Sequence, residues 1–128
     1  MSILFLVGRI LFGGFFVKSS YGHFFNNKDL AAYAASKGTP MAGLSVYVAG
    51  FLILFGGLGI ILGVYVYWSI AAISLFLIVV TGFMHRYWKE QDPMSKASNQ
   101  VNFYKNLALL GAALMLLAIS LPWPYSLF

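Results

Sequence analysis

The chain has 128 residues, of which 61% are hydrophobic, 18% aromatic and only 9% charged, where soluble domains carry about a quarter charged residues. Such a composition predicts a membrane protein folded as one domain over 1–128, with no length left for a soluble catalytic domain. The net charge of +5 fits contact with anionic lipid headgroups better than with nucleic acid, and the lack of cysteine excludes disulfide exchange, thiolate zinc and iron–sulfur ligation by this chain alone.

The predicted fold is all-α, an integral membrane four-helix bundle with a short interfacial helix between the first two spans. The first span, 3–25, reads ILFLVGRILFGGFFVKSSYGHFF and keeps Arg9, Lys18 and His23 among apolar residues. At 100° per residue, Arg9, Gly13, Phe16, Ser20 and His23 share a sector of about 80°, with Lys18 nearly opposite. That face is expected to look into protein, and the glycines at 8, 13, 14 and 22 to allow close helix approach. The N-terminus lacks the positively charged start of a secretory signal, so the span is expected to be retained.

Asn26 and Asn27 cap a predicted short helix over 29–37 that Gly38, Thr39 and Pro40 terminate. Too short to cross a bilayer, it is expected to lie in the interface. The second span, 41–63, is rich in glycine and contains a GxxxG pair at Gly59 and Gly63. A hairpin at 64–67 places Tyr65, Tyr67 and Trp68 as an interfacial aromatic belt. The third span, 68–87, puts Ser74, Thr81, His85 and Trp88 on one face, expected to meet the polar face of the first. The hydrophilic stretch RYWKEQDPMSKASNQ reads as the longest loop, and the fourth span is predicted at 102–120, before Pro122 and Pro124.

Four spans put both termini on one side. The opposite side carries Lys28, Lys37, Arg86, Lys89 and Lys96, which predicts a multi-pass protein of the cell membrane with the larger loops cytoplasmic and both termini outside. His23 and His85 come level at that loop side, in one layer with Lys18, Tyr21, Tyr47, Arg86, Tyr104 and Asn106.

Two histidines at helix ends suit proton exchange or hydrogen bonding with a ligand such as a quinone, or simple bonding to backbone and headgroups. A metal site is not expected, because two imidazoles are too few ligands and no carboxylate lies within a span. Arg9 has no acid in the spans to pair with, so it either snorkels to headgroups or meets an anionic or carbonyl-bearing ligand or a partner's acid. Lys18 is expected to snorkel, and Asn106 to bond between helices. No catalytic serine, histidine and acid combination can be assembled, and neither catalytic residues nor a covalent cofactor are expected.

The segments GRILFGGFFVKSSYG, KGTP, GGLGIILG, FMHRYW and FYKNLALLGAALML occur in an order and spacing that resembles the DoxX family across nearly the whole chain. The resemblance implies a small four-helix membrane protein associated with quinol oxidase or other redox systems, and singles out Arg9, Lys18, Gly38, Pro40, His85, Trp88 and Asn106. Many relatives carry an acid before the paired glycines, where Ile53 stands here, and a basic residue in the hairpin, where Tyr65–Tyr67 stand. The expected role is an accessory or structural subunit of a quinone-linked membrane redox complex, contacting lipids and other membrane subunits. An independent quinone-binding oxidoreductase component and a lipid-interacting bundle without redox role are the alternatives. The candidate ligand or partner contacts are Arg9, Lys18, His23, His85, Trp88 and Asn106.

Overall fold

The four apolar runs fold as helices, because in hydrocarbon a backbone must satisfy its own hydrogen bonds. The computed structural model describes residues 1–126. The elements are α1 (Ser2–Phe25), α2 (Asn27–Ser36), α3 (Ala42–Leu62), α4 (Val66–Met84) and α5 (Pro93–Met115), with 3₁₀ turns at Tyr87–Lys89 and Leu116–Ala118. The helices α1, α3, α4 and α5 carry the stretches long and apolar enough to cross a membrane.

The expected inward face of α1 is the one that is buried, with Arg9, Gly13, Phe16 and Ser20 enclosed. Of its glycines only Gly13 supports a close crossing: a Cβ there would lie 2.6 Å from the Gly57 carbonyl oxygen of α3, and one on Gly57 would lie 2.6 Å from the Gly13 oxygen. Gly8, Gly14 and Gly22 meet nothing within 4 Å, so they do not serve the packing expected of them. In α3 the adjacent pair divides its labour, Gly57 receiving α1 and Gly56 receiving Ile73 of α4. The Gly59 and Gly63 pair is not a helix-crossing ridge. Gly59 makes room for Ser69, while Gly63, at φ 72°, ends α3 in the left-handed conformation that glycine adopts without a steric penalty.

The fourth helix departs most from expectation. It begins at Pro93, nine residues before the predicted start at 102, so half of the presumed loop is helical. Asp92 explains this: its side chain accepts from the Ser95 N–H at 3.0 Å, and Pro93 occupies the first turn, where its missing N–H costs nothing. At the other end α5 stops at Met115 and tightens into a 3₁₀ turn through Ala118 rather than continuing to 120. The predicted third span also ends early, at Met84, leaving His85 just beyond the helix.

The packing order is α1 on α3, α3 on α4 and α4 on α5, with α2 resting on α3. The core is Phe16, Ile53, Ile60, Ile70, Ile73, Leu77 and Ala113, joined by Trp123 from the C-terminal segment. Between α1 and α5 there is no comparable packing. The polar faces of α1 and α4 do not meet directly as expected. Phe76 stands between them, edge-on to Phe16 at 6.4 Å and to His23 at 5.7 Å.

Candidate functional site

The space that α1 and α5 leave open becomes a cavity of about 460 Å³ toward the loop side. Phe15, Phe16, Ser19 and His23 of α1 form one wall, Phe76, Leu77, Val80 and Phe83 of α4 another, and Lys105 and Asn106 of α5 the third. The short helix α2 covers it with Leu30, Tyr33 and Ala34, followed by Thr39 and Pro40. Burial of Ala34 against α3 and the Asn27 Nδ2 bond to the Gly43 oxygen at 3.2 Å fix this cover in place. The lining is mostly aromatic and aliphatic with a few convergent polar groups, the usual make-up of a small-molecule site.

The polar groups are few and individually held. His23 Nδ1 lies 2.8 Å from the Ser19 carbonyl oxygen. His85 Nδ1 lies 3.2 Å from the Asn99 side-chain oxygen. Asn99 in turn donates from Nδ2 to Glu90 at 3.2 Å, and Glu90 pairs with Lys37 at the end of α2. Arg86 closes the loop by donating to the Lys37 carbonyl at 2.9 Å. His85 thus stands between the cavity and a second, polar recess of about 490 Å³ lined by Ser95, Ser98, Asn99 and Asn102. Thr39 also lines the cavity, although its hydroxyl oxygen is buried away from the cavity surface and has no hydrogen-bond partner.

Three of the six sequence candidates, His23, His85 and Asn106, come together at this cavity. Lys18 is exposed on the far side of α1. Trp88 is 54% exposed and belongs to an aromatic cluster with Tyr87 and Phe103 on the loop face. Arg9 lies at the other end of the bundle and is enclosed, only 1% exposed. Its Nε donates to Ile60 O at 3.0 Å, Nη2 to Ile61 O at 2.8 Å and Nη1 to Pro124 O. The rings of Phe5 and Trp123 each sit 5.4 Å from the guanidinium carbon. Ile60 and Ile61 belong to the last turn of α3, whose carbonyls have no helical donor, so a cation there both bonds them and opposes the helix dipole. Neither snorkelling nor a foreign acid is needed to account for this charge.

Sequence reasoning missed Glu90, Asn99 and Thr39. The first two lay in what read as a loop, and the Asp92 and Pro93 start signal, which would have placed Asn99 on a helix, was the cue that was passed over.

No solved structure matches the chain. Over 126 residues it is 29% identical to Inner membrane protein YphA of Escherichia coli (strain K12), an alignment covering 98% of this chain and 88% of that one. Residues 4–86 match the DoxX family model, a stretch that runs from α1 through the end of α4 and includes Arg9, the α1–α3 glycine crossing and both cavity histidines. The chain therefore belongs to the DoxX family.

Proposed function

We propose that this protein is an accessory component of a quinone-linked membrane redox system and that it holds a quinone-class lipid in the cavity beneath α2. The observation that carries the reading is the cavity itself: an apolar chamber of about 460 Å³ with two imidazoles at its polar end. A quinone head has flat apolar faces for the phenylalanines and oxygens for those polar groups, and its isoprenoid tail needs an apolar exit. The gap between α1 and α5 supplies that exit on the lipid side of the bundle. Family membership supports the redox setting through the resemblance described above. In this reading the larger loops face the cytoplasm, where Lys28, Lys37, Arg86, Lys89 and Lys96 obey the positive-inside bias. On the same reading, other membrane subunits supply the electron-transfer centres.

Native mass spectrometry and solvent extraction of protein gently solubilised from its own membranes test the proposal. A quinone-class lipid retained by the wild type, and depleted when Ala49→Phe fills the cavity from α3, whose Val46 and Ala49 also line it, is the expected result. A wild-type protein that neither retains such a lipid nor binds an added short-chain quinone sinks the reading.

A further inference from the structure

Both cavity imidazoles are held in one tautomer by the chain itself. His23 Nδ1 faces the Ser19 carbonyl at 2.8 Å. A carbonyl only accepts, so Nδ1 carries the hydrogen and Nε2 of the neutral ring keeps its lone pair. For His85 the same result is reached through a relay. Lys37 anchors the Glu90 carboxylate, and Asn99 donates to it from Nδ2. Reversing the Asn99 amide would set oxygen against carboxylate, so its oxygen is the atom that faces His85 Nδ1 at 3.2 Å. Nδ1 of His85 therefore donates as well, and its Nε2 is also an acceptor. Among the described residues neither Nε2 has a hydrogen-bond partner.

We infer that the cavity distinguishes the two redox states of its ligand, binding the dihydroxy quinol in preference to the dicarbonyl quinone. The inference rests on the quinone reading above. A quinol hydroxyl donates to an imidazole Nε2, whereas a quinone oxygen would set lone pair against lone pair. The cationic donor of the lining, Lys105 Nζ, lies at the rim, where it donates to Asn102 at 3.4 Å and sits 5.5 Å from the Phe15 ring centre, and the Asn106 amide can donate or accept and so favours neither form. Asn99 touches no ligand in this scheme. It acts through His85 and is a positioning residue.

The test titrates purified full-length protein in mild detergent with a decyl-substituted benzoquinone and, anaerobically, with its chemically reduced quinol. Calorimetry is run at about pH 8, where an imidazole of ordinary pKa is neutral. The quinol is expected to bind about tenfold more tightly than the quinone. Bound ligand then shows a midpoint potential about 30 mV more positive than free ligand, the equivalent of that ratio for a two-electron couple. Asn99→Leu, which frees the His85 tautomer, should shrink the ratio, while Asn99→Gln, whose amide can still accept from Nδ1 and donate to Glu90, should keep more of it than Leu does. His23→Phe, far from Asn99 in sequence, should shrink the ratio independently, so the outcome does not hang on the folding of one variant. Equal affinities, or a tighter quinone, overturn this inference and leave the quinone site standing. Binding of neither form removes the site itself and the inference with it.

Discussion

Replacing Arg9 with methionine keeps an unbranched side chain of similar length and removes the charge together with every donor. Three carbonyls lose their partner: Ile60 O and Ile61 O at the end of α3, and Pro124 O in the C-terminal segment. Leaving a buried acceptor unsatisfied costs about 1–3 kcal/mol, so the three together amount to roughly 3–9 kcal/mol where water is kept out and less where the terminal face admits it. The loss falls on two elements at once, because Arg9 is what joins the α3 terminus to the tail. Trp123, 2% exposed and stacked edge-on against Phe5 at 5.1 Å, should leave its place. The assay uses the absence of native cysteine: a single thiol introduced as Ser126→Cys reports tail docking by its labelling rate in detergent, alongside thermal melting. Arg9→Met should speed labelling and lower the melting temperature, with Arg9→Lys intermediate because a single compact ammonium cannot reproduce the three separate nitrogens with which the guanidinium reaches the three carbonyls. A melting temperature and labelling rate unchanged in Arg9→Met would refute the view that this cation is a structural clamp.

Two further outcomes follow from packing and charge. Gly57→Val should prevent α1 from seating on α3, since a Cβ there would lie 2.6 Å from the Gly13 oxygen and 2.9 Å from a Val17 methyl; folded yield falls sharply, while Gly14→Ala, with nothing within 4 Å of its Cβ, folds normally. Equal yields from the two variants would disprove the crossing. A thiol introduced by Lys96→Cys at the start of α5 should resist an impermeant reagent in intact cells until the membrane is opened, as the proposed cytoplasmic placement of this side requires; ready labelling from outside would invert the proposed orientation.

The spans were legible because length and apolarity alone mark them, and the buried face of α1 was legible because a 3.6-residue period turns spacing into direction. Arg9 could be recognised as enclosed but not as satisfied. Its acceptors are backbone carbonyls, which every residue possesses, and one of them lies 115 positions away in the chain. The start of α5 was obscured for a different reason: polar residues after Pro93 look like loop to a hydropathy reading, although Asp92 and Pro93 together are a helix-start signal. His23 and His85 were placed at one level by counting along their helices, but the chamber between them was not foreseeable. It depends on which pair of helices fails to close, and that is set by where Gly13, Gly56 and Gly57 permit close approach and where bulkier side chains do not.

The tail that Arg9 captures also decides how the open side of the molecule can move. Through Trp123 and Pro124 the segment after α5 is pinned to the start of α1, and beyond that pin the two helices run without mutual packing. Each is otherwise held by its own neighbour, α1 by α3 and α5 by α4, so the tie at the terminal face is their one shared anchor. Lys105 lies about 15 Å along α5 from Met115, so a splay of about 5° displaces it by about 1.3 Å. That is close to one carbon–carbon bond length, enough to lift Lys105 away from the Phe15 ring across the gap. The width of the lipid-side opening is thus sensitive to the angle between α1 and α5, which is set by their seats on α3 and α4 and by the tie at the opposite end of the bundle.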